Sequence, residues 1–312
     1  MTKTAFIFPG QGAQYIGMGR EFVENFAKSK EVFEEASDSL GYDMQKVVME
    51  GSENDLMQTE VTQPAILTVS IAILEALTEK GFDCDFTAGL SLGEYSALVK
   101  AGFFDFKDAV SVVRERGKFM QSAVAFGHGA MAAVIGMPVE RLLELLKEVA
   151  GVVELANFNS REQFVISGET SAVEAAVKKA LENGAMKAVM LPVSAPFHSS
   201  LLSPAAEKLH EVLENTKTGL LQKKVVANVD AKVVQSEKEV IPNLVKQVNH
   251  AVLWAPSVEL MINEGVDVFV EIGPGRALSG FVKRIAKAMN ATVSIYNIED
   301  IVTLKKFFES KR

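Results

Sequence analysis

The chain holds a single cysteine, Cys84, in 312 residues, so no intrachain disulfide can form. That fits a reducing compartment, and the cytoplasm is the expected location. Cys84 has no partner signal and reads as a small buried hydrophobe. There are only four histidines, His128, His198, His210 and His250, so candidates for a general base are few. No metal site is expected. No apolar run is expected to reach bilayer length, and the short Thr4–Phe8 run before Pro9-Gly10 is too brief for a signal peptide. No membrane partner is expected. The formal net charge of −8 argues against nucleic acid as the main partner. There is no Walker-type phosphate loop, no internal repeat and no low-complexity tract.

What is present is a soluble composition, 48% hydrophobic and 23% charged, with length enough for a large core. Helical and strand patterns alternate over most of the chain, which predicts an α/β fold with a largely parallel sheet. Thr4–Phe8 reads as a first strand leading into the turn Pro9-Gly10-Gln11-Gly12. Gln63-Pro64-Ala65 through Lys80-Gly81 reads as a buried helix, with Pro64 in its first turn and Gly81 at its C-terminal cap. Val266–Ile272 is another strand, ending in Gly273-Pro274-Gly275 before a basic helix from Arg276.

The middle of the chain reads differently. Strands are predicted at Ala130–Met137, Val152–Asn159, Gln163–Ser167 and Lys187–Val193. Pro138 opens one helix, and a capping box Ser171-x-x-Glu174 opens a second. The order β-α-β-β-α-β is the ferredoxin-like pattern. Residues 127–194 are therefore expected to form a small domain inserted into a larger one made of 1–126 and 195–312. The last residues, Glu309–Arg312, are expected to fray.

The most informative motif is Gly89-Leu90-Ser91-Leu92-Gly93, which matches the G-x-S-x-G nucleophile elbow. A strand end at Cys84–Ala88 precedes it and a helix start at Glu94–Val99 follows, as the motif requires. The glycines serve a crowded turn in which a side chain would clash. A nucleophilic serine needs a base. His198 follows a strand and sits two residues after Pro196, so its side chain is well placed. His210 reads as a solvated helix residue and His128 as a loop residue between two glycines. His250, ahead of Ala251-Val252-Leu253-Trp254, could also lie near the site.

Taken together, the chain resembles the malonyl-CoA:acyl carrier protein transacylases and the related acyltransferase domains of polyketide synthases. The likeness runs nearly end to end. It rests on Phe8-Pro9-Gly10-Gln11-Gly12, on Gly89–Ala97, on Arg116-Gly117 and on Asn157 with Val165-Ile166-Ser167-Gly168. It continues through Pro196-Phe197-His198, Gln247 and Glu271–Gly275. The resemblance implies an α/β-hydrolase-like core with a ferredoxin-like insertion. It implies Ser91 as nucleophile and His198 as base, with the Leu92 and Gln11 backbone N–H groups as oxyanion hole. A backbone carbonyl near Gln247 would orient the imidazole in place of an acid. Arg116 would hold the malonyl carboxylate by two hydrogen bonds, while Arg114, two residues away, points elsewhere on the helix. Phe197 would limit the substrate at its α-carbon, and Asn157 and the Gln247 side chain would line the site.

The implied reaction moves malonyl from coenzyme A to the phosphopantetheine thiol of acyl carrier protein in fatty-acid synthesis, with coenzyme A as part of the substrate and no cofactor. The rivals are a free-standing acyltransferase of a polyketide assembly line, an acyl hydrolase and a non-enzymatic scaffold. Arg116 argues against a hydrolase, and the presence of Ser91 with His198 against a scaffold. Lys283, Arg284 and Lys287 form a basic helix face that could meet an acidic carrier protein or simply be solvated. A monomer is expected, although nothing in the sequence specifies oligomeric state. Three segments depart from the family pattern: Leu90 replaces the usual His, Ser160-Arg161-Glu162 replaces a Pro-Gly segment, and His250-Ala251 replaces x-Pro. The Ser160–Glu162 segment is expected to alter substrate access.

Overall fold

The computed structural model describes residues 2–193 and 195–310. Two sheets organise it. Strands β1 (Lys3–Phe8), β2 (Phe86–Gly89), β7 (Lys224–Val225), β8 (Val266–Ile272) and β9 (Ser294–Ile298) form a parallel sheet in the order β7-β2-β1-β8-β9. Strands β3 (Gly129–Ile135), β4 (Val153–Ser160), β5 (Gln163–Glu169) and β6 (Lys187–Met190) form a separate antiparallel sheet in the order β4-β5-β3-β6. The fold is α/β.

The central strand explains why the first sheet is parallel and covered on both faces. Ala5, Phe6, Ile7 and Phe8 of β1 are all fully buried. A strand buried on both faces reads as a continuous apolar run rather than an alternating one. Phe8 stands opposite Gly89 of β2, and Ile7 stands opposite Glu271 of β8. The C-terminal ends of these three strands therefore lie at one edge of the sheet. The turns that leave them carry Gln11, Ser91 and Gly273. Open parallel sheets bind ligands at this edge.

The helix Thr59–Thr78 starts four residues earlier than the sequence suggested, which places Pro64 inside it. Every residue from Thr62 to Leu74 is buried. By length and composition this helix could cross a membrane, contrary to the sequence-based expectation; 83% of its most apolar window is instead enclosed by the protein. It packs between the helices Ala27–Leu40 and Phe106–Ser122. An apolar helix surrounded by other helices needs no polar face, so its sequence shows no helical stripe.

The antiparallel sheet has the expected element order, with helices Val139–Lys147 and Thr170–Glu182 packed on it around a core of its own that includes Leu142, Leu145, Phe164, Ile166 and Ala176. Three local expectations fail. The second helix begins at Thr170 with Glu169 as its N-cap, so Ser171 caps nothing. Strand β6 stops at Met190, short of Val193. The C-terminal helix runs Ile301–Ser310, so Glu309 and Ser310 are helical, while Lys311 and Arg312 lie outside the described residues. Strand β4 is also tied to the segment ahead of the helix Trp254–Asn263: Val252 N donates to Ala156 O at 2.8 Å and Phe158 N donates to Val252 O at 2.9 Å.

Candidate active site

The turn after β2 is built by close backbone approach. A Cβ on Gly89 would overlap the backbone carbonyl of Gly93, and one on Gly93 would overlap the Phe8 carbonyl. A Cβ on Gly10 would meet the Leu90 carbonyl. Between these contacts Ser91 adopts φ 53°, a left-handed conformation that non-glycine residues avoid. A side-chain amide completes the turn. Asn228 Oδ1 accepts from Ser91 N at 2.6 Å, and Asn228 Nδ2 donates to Gly89 O at 2.7 Å.

His198 is held by a different kind of turn, and it too is left-handed, with φ 61°. Ser199 Oγ donates to Pro196 O at 2.7 Å, closing the loop across the histidine. Gly129 lies so close that a Cβ there would overlap the Pro196 ring. Ser194, the start of this segment, lies outside the described residues.

The two turns bring Ser91 Oγ within 2.7 Å of His198 Nε2. His198 Nδ1 stands 2.7 Å from the main-chain oxygen of Gln247. A carbonyl can only accept, so Nδ1 carries the proton and Nε2 is free to accept from the serine hydroxyl. The Gln247 carbonyl is available because it belongs to the last turn of the helix Glu237–Asn249, where C=O groups have no intrahelical donor. The negative end of that helix then does what an acid does in a triad. Burial, reinforced by the charge of Arg116, pushes the His198 pKa down to about 3.

Arg116 is also buried, at 1% exposure. Its Nη2 donates to Ser91 Oγ at 3.1 Å and to Gln247 Oε1 at 2.8 Å, and its Nη1 donates to Gln63 Oε1 at 2.8 Å. The guanidinium lies 5.5 Å from the centre of the Tyr95 ring. Gly117 explains how Arg116 gets there. A Cβ at Gly117 would come within 2.6 Å of Thr59 O, so only glycine lets the two helices approach this closely. Arg114 turns away, donating to Leu40 O at 2.9 Å.

A serine hydroxyl on a neutral imidazole, beside a cation, is equipped to form and break an acyl ester. Comparison with known proteins agrees. The acyl transferase domain family model matches residues 5–299. The chain belongs to the acyl transferase family. A malonyl CoA-acyl carrier protein transacylase of Bacillus subtilis is 46% identical over 304 residues, covering 96% of each chain. The crystal structure of such a transacylase from Clostridium perfringens superposes with a TM-score of 0.96 at 47% identity, covering 100% of this chain and 98% of that one. A malonyl-transacylase bound to a type II polyketide acyl carrier protein superposes at 0.95 with 44% identity, covering 99% and 100%.

In this acyl transferase the structure brings together Ser91, His198, Arg116 and Gln247. Leu92 follows the serine in the elbow and Gln11 lies in the turn after β1, and neither backbone N–H is taken by another described residue. Phe197 is 7% exposed and packs in the main core beside the base. Asn157 stands opposite Val252 in β4, and its side chain makes no hydrogen bond to Ser91, His198, Arg116 or Gln247. His210 is exposed and pairs with Glu214 at 3.3 Å; His250 is exposed and contacts Asn249. Cys84 is buried, and burial pushes its thiol up to about 12, which leaves it inert.

Sequence reasoning missed three polar residues. Gln63 and Asn228 hold Arg116 and the elbow as described above. Glu94 is 2% exposed, accepting from Gln247 Nε2 at 2.7 Å and from Asn228 N at 3.2 Å. Burial pushes its pKa up to about 7, against the lowering effect of those donors and of Arg116. Its place in the first turn of the elbow helix was visible; its burial was not. Two of the departures leave the relay side chains unchanged, although the His250 main chain does act on the His198 imidazole. Leu90 packs on the cluster containing Trp254, and His250-Ala251 precede the Val252 bridge to β4. The third, Ser160-Arg161-Glu162, forms the β4–β5 turn. There Arg161 pairs with Glu259 at 2.9 Å, fastening the small sheet to the helix Trp254–Asn263.

Proposed function

We propose that this acyl transferase moves malonyl from malonyl-CoA to the phosphopantetheine thiol of acyl carrier protein, in fatty-acid synthesis. The observation that carries the reading is the Arg116 guanidinium, buried and 3.1 Å from Ser91 Oγ, where an acyl chain on the serine would end in a carboxylate. The names of the close relatives support the same substrate and partner.

In this reading Ser91 attacks the thioester carbonyl while His198 Nε2 takes its proton. The developing oxyanion is met by the N–H groups of Leu92 and Gln11. His198 returns the proton to the coenzyme A thiol as it leaves. The malonyl-Ser91 ester is then attacked by the carrier thiol; His198 accepts the thiol proton and returns it to Ser91 Oγ as the ester bond breaks. Arg116 exchanges its bond to Ser91 Oγ for bonds to the malonyl carboxylate and keeps its bond to Gln247 Oε1. Phe197 walls the α-carbon, and Asn157 lines the approach. The exposed face of Lys283, Arg284 and Lys287 receives the acidic carrier.

The chain divides into a catalytic body of 1–126 and 195–312, with an α/β-hydrolase-like sheet, and an insertion of 127–194. The sheet order β4-β5-β3-β6 supports a ferredoxin-like description of the insertion. The test is incubation with radiolabelled malonyl-CoA followed by addition of carrier protein. A malonyl ester on the protein that chases onto the carrier is expected; a label that is released to water instead would overturn the transferase reading.

A further inference from the structure

The hydrogen bonds of Arg116 all end on neutral oxygens, those of Gln63, Ser91 and Gln247. A buried guanidinium without an anion is costly. The carboxylate bonded into this network is Glu94, one amide away. Gln247 spans the two: its Nε2 donates to Glu94 Oε2 at 2.7 Å, and its Oε1 accepts from Arg116 at 2.8 Å. The amide cannot turn over, because Nε2 also donates to Ser91 O at 3.0 Å and a flipped oxygen would face that carbonyl and the carboxylate together. The amide therefore relays the charge of Glu94 to Arg116 in one fixed sense.

We propose that Glu94 is the resident counter-charge of Arg116 in the empty site, and that it takes up a proton from solvent when the acyl carboxylate of the substrate binds Arg116. This rests on the malonyl reading above. Two carboxylates sharing one guanidinium in a dry site cannot both remain ionised at ordinary cost. The incoming carboxylate bonds Arg116 directly, whereas Glu94 acts through Gln247, so Glu94 is the group that yields. The proton goes from water to Glu94 Oε1, to which no described residue donates, while Oε2 keeps its bonds from Gln247 and Asn228. No bond of the acyl transfer itself changes in this step.

Burial already raises the Glu94 pKa to about 7, so the carboxylate is still charged above that pH yet takes up a proton readily. The groups that act on it are few. Arg116 favours its ionised form, and Asp230, beyond β7, opposes it. Tyr95 on the same helix is held neutral by burial, and so is His198. Glu94 is thus a positioning residue that tunes specificity for acyl groups carrying a carboxylate.

The test uses the full chain with Ser91→Ala, so that substrates bind without reacting. Malonyl-CoA and acetyl-CoA are titrated calorimetrically in two buffers of different ionisation enthalpy. The coenzyme A phosphates are common to both and cancel. Malonyl-CoA should take up more protons than acetyl-CoA, by up to one per site. Its affinity relative to acetyl-CoA should fall as pH rises above 7, approaching about tenfold per pH unit, the limit for one coupled proton. Glu94→Gln keeps an acceptor for Gln247 and Asn228 but cannot titrate; it should abolish the excess proton and flatten the ratio. Without touching Glu94, the infrared difference spectrum on malonyl-CoA binding should show a new protonated-carboxyl band that acetyl-CoA does not produce. Normal malonyl binding with no excess proton, or an excess that survives Glu94→Gln, overturns the proposal alone. A site that binds malonyl-CoA no better than acetyl-CoA overturns the substrate reading and this proposal with it.

Discussion

The turns that carry Ser91 and His198 reach the same backbone state by different balances of close packing and hydrogen bonding. Both residues are left-handed, at φ 53° and 61°. Around Ser91 the conformation is forced by exclusion: Gly10, Gly89 and Gly93 are points where backbone touches backbone and no Cβ fits. Around His198 it is secured by attachment, through the rigid Pro196 and the bond from Ser199 Oγ to Pro196 O. A turn made by exclusion fails all at once when one atom is added. A turn made by attachment weakens one bond at a time.

Gly93→Ala is the strongest test of that contrast. The added methyl must displace the Phe8 strand end or the elbow, costing about 1–3 kcal/mol of stability. A shift of about 1 Å in Ser91 should lower acylation about 100-fold or more. Thermal unfolding and intact-mass acylation measure both. A stable, fully active variant would show that the elbow tolerates room it does not visibly have.

Arg116→Ala should rank next. Loss of one partner from a buried charge pair costs about 3–5 kcal/mol, so kcat/KM for malonyl-CoA should fall by two orders of magnitude or more. Acetyl-CoA has no carboxylate and should be spared, and Arg114→Ala should change little, because Arg114 bonds Leu40 O instead. An equal loss for both substrates would make Arg116 a structural residue.

The His198 turn predicts an unusual pH profile. Because burial and Arg116 hold the imidazole pKa down to about 3, the neutral form that accepts a proton persists on acidification. Acylation at saturating malonyl-CoA should therefore stay level from pH 7 to 5, rather than falling through the ordinary histidine pKa of about 6.5. A tenfold drop across that interval would show that His198 titrates normally. Ser199→Ala should have the smallest effect. It removes one buried hydrogen bond worth about 1 kcal/mol, so acylation should slow only a few-fold while the fold persists. A collapse as severe as that of Gly93→Ala would erase the distinction between the two turns.

The same contrast explains what could be read in the sequence. Exclusion leaves a spacing of glycines, so the elbow, its strand and its helix were legible from Gly89 and Gly93. Gly117 excludes a side chain in the same way, but Arg116 was singled out only through the family resemblance. Attachment leaves little trace: Asn228 follows a two-residue strand, and Gln63 sat unnoticed in a helix whose start was misplaced by Pro64. Glu94 looked like an ordinary first-turn carboxylate, because a helix start attracts acids whether or not they are buried. The small sheet was legible because helix signals, Pro138 before one helix and Gly184 after the other, divide its strands. Its capping residue was not, because Glu169 does the work expected of Ser171 without a side-chain bond.

The imidazole of His198 takes its orientation from the main-chain oxygen of Gln247. Every residue has that oxygen. A triad acid can be erased by a single base change, but here no side-chain replacement at the third position deletes the acceptor. A saturation screen for lost activity would recover Ser91 and His198 by identity, yet would recover position 247 only through its amide. The carbonyl itself would stay invisible to genetics, exposed only by a change that bends the end of the helix, such as an insertion or an ester in place of the peptide bond.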